Sequence, residues 1–213
     1  MSRIADIRQE YKKQSLLEQD LAKDPFLQFT KWWEDAIKSE IEEVNAMTLA
    51  TATADGLPSA RIVLLKEFNE RGFVFFSNYE SHKAHELADN PQACLVFFWK
   101  ELERQVRLNG SVEKISAAAS DEYFHSRPVN SKLGAWASPQ SSVIASRDVI
   151  ENKALQYQKE FDGLEIPRPP YWGGYILVPA CIEFWQGRPG RLHDRFQYTL
   201  QKDGGWKVER LAP

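Results

Sequence analysis

Cysteine is scarce in this chain, and neither the cysteines nor the histidines have the arrangement of a metal site or a nucleophile. The two cysteines, Cys94 and Cys181, lie far apart in apolar stretches. We expect them to be buried, reduced thiols of a cytosolic protein rather than a disulfide or a metal pair. His82 and His85 have helical spacing, but no third ligand accompanies them. There is no Gly-x-Ser-x-Gly motif either, so metal-dependent and triad-type catalysis are both poorly supported.

Long apolar runs, an excess of basic residues and glycine-rich phosphate loops are also missing. The longest uncharged runs, such as residues 169–182, are too short to span a bilayer, and the first residues lack the apolar stretch of a secretory signal. We therefore expect a cytoplasmic protein without a membrane partner. Lys and Arg number 27 against 30 Asp and Glu, so no nucleic-acid partner is indicated. No strand is followed by Gly-x-Gly-x-x-Gly and no Walker loop is present, which disfavours a Rossmann site.

What remains is a sequence typical of a folded domain with many short strands. Hydrophobic residues make up 43% of the 213 residues and charged residues 27%. Asp24 and Pro25 predict the start of a helix whose core stripe is Phe26, Phe29, Trp33, Ile37 and Ile41. The other helices are predicted at 81–90, 116–124 and 147–161, and the strands at 47–54, 59–68, 73–77, 93–99, 105–115, 174–178, 181–186, 192–200 and 206–211. This order predicts an α+β, mainly β fold, an antiparallel barrel with surrounding helices.

Cationic residues cluster near the C-terminus, where Arg191, His193 and Arg195 alternate along a predicted strand. Residues two apart in a strand share a face, so the three form one row without an intervening acid. Such a row either meets an anionic or polar ligand or is a solvated edge face, and the spacing alone leaves both possibilities open. Trp185 adds a flat surface for stacking.

Two further basic stretches lie in the first half of the chain. Arg61 and Lys66 bracket an apolar strand, and their odd spacing puts them on opposite faces of the sheet. Charged residues at the ends of a buried strand are more often exposed to solvent. The functional alternative is that each of the two contacts a different phosphate. Ser81, His82 and Lys83 begin a helix, whose free N–H groups and dipole suit a phosphate, although a plain serine cap explains them equally.

A phenol, a guanidinium and a hydroxyl follow at four-residue steps in Tyr123, Arg127 and Ser131. On one continuous helix they share a face, and this donor set suits a phosphate monoester. Pro128 breaks a continuous helix, so two short helices that meet there are the alternative.

Longer motifs resemble those of the pyridoxine/pyridoxamine 5′-phosphate oxidases. The most specific is Ile-Glu-Phe-Trp-Gln, four residues, then Arg-Leu-His-Asp-Arg, over residues 182–195. Further stretches match in the family's order at residues 61–66, 103–106, 123–128, 134–141 and 206–213. Together the motifs cover nearly the whole chain.

The resemblance implies an FMN-binding split β-barrel that forms a homodimer with FMN at the subunit interface. Residues 1–20 would be a mobile N-terminal segment and residues 21–213 a single domain. The residues assigned to FMN are Arg61, Ile62, Val63, Leu64, Lys66, Phe76, Ser77, His82, Lys83, Gln105, Gln140, Ser141, Trp185 and Arg195. Those assigned to the substrate are Lys66, Tyr123, Arg127 and Ser131 for its phosphate, Arg191 and His193 as catalytic residues at its ring, and Arg8 and Tyr11 from the mobile segment.

The implied reaction is the oxidation of pyridoxine 5′-phosphate or pyridoxamine 5′-phosphate to pyridoxal 5′-phosphate. Oxygen is the electron acceptor, and hydrogen peroxide, with ammonia from the amine, is the by-product. Two alternatives are a split-barrel FMN reductase that uses NADPH, which leaves the Tyr123, Arg127 and Ser131 set unexplained, and a non-catalytic carrier of FMN or pyridoxal phosphate. The chain departs from the family at His82, usually Arg, and at Phe76, often Tyr. The first exchange predicts a weaker hold on the FMN phosphate, since only Arg is always charged.

Overall fold

The computed structural model describes residue 4 and residues 10–213. Within that range there are five α-helices and nine β-strands. The helices are α1 (Pro25–Lys38), α2 (His82–Asp89), α3 (Ala117–Ser126), α4 (Val129–Ala137) and α5 (Asp148–Glu160). The strands are β1 (Ala46–Ala52), β2 (Pro58–Leu64), β3 (Glu67–Asn69), β4 (Gly72–Asn78), β5 (Gln92–Trp99), β6 (Arg104–Lys114), β7 (Trp172–Gln186), β8 (Asp194–Leu200) and β9 (Trp206–Arg210).

The strands are hydrogen-bonded in the order β2-β1-β5-β6-β7-β4-β3, and β8 pairs with both β7 and β9. The pairings of β4 with β7 and of β7 with β8 are antiparallel. The register places Phe76 opposite Gly174 and Trp185 opposite Arg195. The predicted antiparallel, mainly β arrangement is therefore confirmed at the level of strands.

The chain divides into two compact units. The first contains the described residues up to Leu49, with Cys94–Gly110 and Pro179–Pro213; the second contains Ala50–Ala93 and Ser111–Val178. The predicted boundary at residue 20 stays a prediction.

Aromatic side chains fill the core of the first unit. Phe29 on α1 packs against Phe97 and Trp99, with ring centroids 5.3 and 6.0 Å apart. Helix α1 starts as predicted, because the Asp24 carboxylate accepts hydrogen bonds from two backbone N–H groups of its first turn. Its predicted stripe is only partly right: Phe29 is buried, but Ile37 is 51% exposed. The buried face runs instead through residues 29, 32 and 36, which share one side at helical spacing.

The second unit has its own smaller cluster, made of Phe124, Leu133, Ile166 and Trp172. Phe124 and Leu133 belong to two different helices, α3 and α4, which are separated at Pro128. Of the two alternatives for this stretch, two short helices is the one observed, because proline restricts the residue before it to extended conformations.

Three sequence predictions differ from the structure. The predicted strand over residues 59–68 is two strands, since the chain turns at Lys66, whose N–H bonds to Val74 O at 2.9 Å. Conversely, the strands predicted at 174–178 and 181–186 are one strand, β7, of 15 residues. Cys94 and Cys181 are free, as expected, but they are half-buried rather than buried.

The described residues contain neither a candidate membrane span nor a candidate metal-ligand group. No helix in the described part of the chain combines the length and apolar character needed to cross a membrane. Among the same residues, no three His, Cys, Asp or Glu side chains are grouped as metal ligands.

Candidate functional site

A lysine surrounded by uncharged oxygens lies at the start of α2, and we call it the Lys83 cluster: Ser77, Ser81, Lys83 and Gln140. Lys83 Nζ donates to Ser77 Oγ and Ser81 Oγ, both at 3.1 Å. It also donates to Gln140 Oε1 at 2.8 Å. Burial, and then the charge of Arg61, lower the pKa of Lys83 to about 8. An ammonium that has only neutral hydrogen-bond partners is stabilised by an added anion, so the cluster suits a phosphate.

Next to this cluster a carboxylate that the sequence analysis missed, Glu86, is almost fully buried at 3% exposure. It accepts hydrogen bonds from Thr51 Oγ1 at 2.5 Å and from Ser59 Oγ at 2.7 Å. Arg61 Nη2 lies 3.2 Å and His82 Nδ1 3.7 Å from its oxygens. Burial alone raises the pKa of Glu86, but these partners outweigh it and the net pKa is lowered. Glu86 is therefore ionised and holds Arg61, and its position four residues after His82 on α2 was the available signal.

Arg127, between α3 and α4, is a guanidinium with an unused donor. Its carbon Cζ lies 4.5 Å from the ring centroid of Trp172 and 5.6 Å from that of Phe124. Burial lowers the pKa of the guanidinium, while Tyr123 opposes the shift. Among the described residues, Arg127 Nη1 is the one buried side-chain nitrogen or oxygen that has no hydrogen-bond partner. A buried, unpaired N–H is costly, which indicates that a ligand supplies the acceptor.

A cavity of about 280 Å³ joins Arg127 to the Lys83 cluster. It is lined by Asn78, Arg127, Ser131, Gly134, Ala135, Ser138, Gln140 and Trp172. Ser131 therefore lines the same space as Arg127, although the break at Pro128 means that the two do not share the face of one continuous helix. Gln140 belongs to both the cavity lining and the Lys83 cluster, so the hydrogen bond from Lys83 to Gln140 connects that cluster to the space that Arg127 lines.

Stacked aromatic rings lie beside Arg127 and Ser131, the residues assigned with Tyr123 and Lys66 to a phosphate clamp for the substrate. Phe76 stacks on Tyr123 with centroids 3.9 Å apart, and on Trp172 at 5.3 Å. Lys66 Nζ lies 6.0 Å from the centroid of the Tyr123 ring. The structure thus places Lys66 near Tyr123, and the resemblance assigns both residues to the substrate phosphate.

In the first unit, three aromatic side chains meet around Trp185. The Trp185 and His193 ring centroids are 4.6 Å apart, and Tyr11 packs against both at 5.7 and 5.9 Å. Gly187 allows this approach, because a Cβ atom there would lie 2.8 Å from Tyr11 Cγ. Tyr11 is therefore placed against the predicted catalytic histidine, whereas Arg8 lies outside the described residues.

The predicted strand row of Arg191, His193 and Arg195 is wrong in its geometry. Strand β8 begins at Asp194, and Arg191 lies in a short 3₁₀ turn with φ of 62°. Burial, and then the charge of Arg191, lower the pKa of His193, and the charge of Asp194 opposes the shift. His193 Nδ1 accepts a hydrogen bond from the N–H of Arg188 at 3.1 Å. The neutral imidazole therefore carries its proton on Nε2, which is left as a donor.

Arg195 is held by Glu183, a second carboxylate without an assigned role in the sequence analysis. Arg195 Nε donates to Glu183 Oε1 at 2.8 Å and its Nη1 to Ala212 O at 2.8 Å. Because Trp185 lies opposite Arg195 in the register of β7 and β8, the indole and the guanidinium share one face of the sheet.

The remaining predicted FMN residues have fewer contacts. On β2, Ile62 is 65% exposed and Leu64 37% exposed, while Val63 is half-buried. Gln105 on β6 is half-buried, and Ser141 is exposed with φ of 71°. Their assignment to FMN stays a prediction.

Two family models match the chain. The model described as pyridoxamine 5′-phosphate oxidase matches residues 33–160. The one described as the pyridoxine 5′-phosphate oxidase C-terminal dimerisation region matches residues 172–213.

Curated relatives carry the same description. A pyridoxine/pyridoxamine 5′-phosphate oxidase of Trichormus variabilis is 57% identical over 99% of this chain and 98% of its own. A pyridoxine/pyridoxamine 5′-phosphate oxidase 1 of Ralstonia nicotianae is 58% identical over the whole of both chains.

Solved structures share the fold. PhzG from Burkholderia lata 383, in complex with tetrahydrophenazine-1-carboxylic acid, is 29% identical, with a TM-score of 0.87 over 93% of this chain and 98% of its own. A pyridoxamine 5′-phosphate oxidase-related, FMN binding protein from Nostoc punctiforme is 18% identical, with a TM-score of 0.72 over 91% of this chain and 100% of its own. These similarities confirm the predicted split-barrel fold class.

Proposed function

This chain belongs to the pyridoxine/pyridoxamine 5′-phosphate oxidase family. We propose that it oxidises pyridoxine 5′-phosphate and pyridoxamine 5′-phosphate to pyridoxal 5′-phosphate, with FMN as cofactor. The observation that carries the proposal is a pair of cationic centres: Arg127 lines a cavity, and Lys83 donates a hydrogen bond to Gln140, which lines the same cavity. The reaction needs two phosphate monoesters at once, one on the cofactor and one on the substrate. Two separate anion sites match that requirement.

The residues fit FMN in their donor chemistry. Lys83 has only neutral partners and Arg61 is held by Glu86, so the phosphate of FMN would meet two cations of the second unit. Trp185 would offer a flat aromatic surface to the flavin, and Arg195 would place a positive charge beside it. When bound, FMN supplies the two-electron oxidation and transfers the electrons to oxygen, which gives hydrogen peroxide.

The substrate phosphate would be held by Arg127 Nη1, Ser131, Tyr123 and Lys66. Arg127 Nη1 is buried without a partner among the described residues, so a phosphate oxygen would satisfy it. The pyridine ring would be oriented by Arg191 and by His193 Nε2–H, which the hydrogen bond at Nδ1 leaves as a donor. Tyr11 packs against His193 and would limit the access of water. The work of the protein is thus to fix the substrate in a reactive orientation.

The active form would be a homodimer with FMN at the subunit interface. The C-terminal residues match a dimerisation region. On β2, the exposed apolar side chains Ile62 and Leu64 lie next to Arg61, in the stretch assigned to FMN. If a second subunit covers that stretch, dilution separates the subunits and releases FMN. Sedimentation with flavin fluorescence measures both events, and a monomer that keeps its flavin would contradict the dimer site.

Anaerobic addition of each substrate to the yellow protein tests the function. Pyridoxine 5′-phosphate and pyridoxamine 5′-phosphate should both bleach the flavin absorbance. Bleaching by NADPH instead would identify a reductase, and no bleaching by any of the three would identify a carrier.

A further inference from the structure

One face of strands β6, β7 and β8 carries a buried carboxylate among half-buried neighbours. Side chains alternate along β7, so Cys181, Glu183 and Trp185 share this face. Cys181 and Trp185 are half-buried, but Glu183 is only 3% exposed. Arg195 is part of the same face, because it lies opposite Trp185.

Two arginines share the Glu183 carboxylate. Arg195 Nε lies 2.8 Å from Oε1, and Arg107 Nη2 lies 2.5 Å from Oε2. Each carboxylate oxygen thus meets a different guanidinium, and the triad carries a formal charge of +1. Arg107 is the more exposed of the two, with 42% of its side chain accessible against 25% for Arg195.

Two thiols that interact with Arg107, those of Cys94 and Cys181, add no charge to this face. Burial raises the pKa of both Cys94 and Cys181, although the Arg107 charge opposes the shift. Both thiols therefore stay protonated near neutral pH. The positive charge of Arg195 is partly neutralised by Glu183, and the extent depends on Arg107, which binds the same carboxylate.

We infer that Glu183 and Arg107 are positioning residues that set the reduction potential of the bound flavin through Arg195. The inference rests on the proposed function, which puts Arg195 against FMN. Reduced flavin is more negative than oxidised flavin, so a positive charge beside the ring favours the reduced form. Glu183 neutralises part of the Arg195 charge. Arg107 binds the same carboxylate and so reduces the negative charge that Glu183 directs at Arg195. Removal of Glu183 should therefore raise the potential, and removal of Arg107 should lower it.

The test is the midpoint potential of the FMN-loaded protein, measured against redox dyes without substrate. The decisive variant is Arg107→Gln, which removes an accessible charge and leaves the Glu183–Arg195 pair intact. It should weaken the binding of reduced FMN relative to oxidised FMN by on the order of tenfold, about 30 mV for a two-electron couple. Glu183→Gln should shift the potential the other way. Arg71→Gln is the matched control, because it breaks the exposed pair with Glu113, 3.5 Å long, and should leave the potential unchanged.

An Arg107→Gln potential equal to that of the wild type would overturn the inference, whatever Glu183→Gln does. Shifts of the same sign in both variants would also overturn the inference. Such shifts would indicate a general structural disruption of the site, because the removal of opposite charges should shift the potential in opposite directions. Failure of the proposed function is distinguishable, because a wild-type protein that does not take up FMN is colourless before any potential is measured. A protein that takes up FMN but is not bleached by either phosphate substrate fails the function and still allows the potentials to be compared.

Discussion

Replacement of Arg127 by Met is the most informative single change in the proposed phosphate clamp. Methionine keeps an apolar chain against Trp172 and Phe124, which the guanidinium now contacts at 4.5 and 5.6 Å, but it removes the charge and the unpaired Nη1 donor. Since this donor has no hydrogen-bond partner among the described residues, the ligand-free protein loses no hydrogen bond at that atom. The free energy of unfolding should therefore fall by no more than about 1 kcal/mol.

The effect on ligands should be selective. A lost charge-assisted contact is worth about 1.5–3 kcal/mol, which weakens substrate binding roughly 10- to 150-fold. FMN affinity should change by no more than about twofold, because Lys83 and Arg61, not Arg127, are assigned to its phosphate.

Both affinities can be measured on the same preparation, FMN by fluorescence quenching of the apoprotein and pyridoxal 5′-phosphate, the product, by titration of the holoprotein. Arg147→Met is the control, because its side chain is 87% exposed and forms an ion pair with Glu151 on α5. Equal losses for FMN and the phosphate ligand would refute the assignment of Arg127 to the substrate.

Three further outcomes follow from the same geometry. Burial and the charge of Arg61 lower the pKa of Lys83 to about 8, and a bound phosphate should raise that pKa. FMN should therefore bind with full affinity below pH 8 and more weakly as the pH rises above it. Titrations of FMN from pH 7 to 9.5 should show this fall in affinity in the wild type and not in Lys83→Met. His82→Arg should tighten FMN binding at pH 8 by on the order of 1 kcal/mol, since it adds a permanent cation on α2, and an unchanged affinity would remove position 82 from the site. Arg191→Ala should lower turnover while the protein stays yellow, and a folded but colourless variant would assign Arg191 to the cofactor instead.

Much of the secondary structure could be predicted from local sequence signals. The Asp24 cap and Pro25 located the start of α1, and the strands of the sheet followed from short apolar runs between turns. The break at Lys66 could not be predicted, because it depends on the pairing of β3 with β4 rather than on residues 59–68 themselves. Arg191 and His193 were placed on a strand by their alternation, which the turn at Pro189 and Gly190 overrides.

The resemblance identified cationic residues at the site, but not the carboxylates that hold them. Glu86 looks like an ordinary surface residue of α2 until the fold brings Thr51 and Ser59 over it. Glu183 lies inside the most specific motif together with its partner Arg195, but its second arginine partner, Arg107, comes from β6, 76 residues away in sequence. The spacing of His82 and Glu86 on α2 indicates one contact, but the pairings of Glu86 with Thr51 and Ser59 and of Glu183 with Arg107 join different elements, which periodicity along one element cannot reveal.

The measurement that tests the central claim most directly is the stoichiometry of the aerobic reaction. The protein is incubated with FMN and pyridoxine 5′-phosphate, and pyridoxal 5′-phosphate, oxygen uptake and hydrogen peroxide are quantified together. The proposed function predicts equimolar product, oxygen consumed and peroxide formed, with equimolar ammonia when pyridoxamine 5′-phosphate replaces the alcohol. Absence of pyridoxal 5′-phosphate, or its formation without oxygen uptake, would contradict an FMN-dependent oxidase.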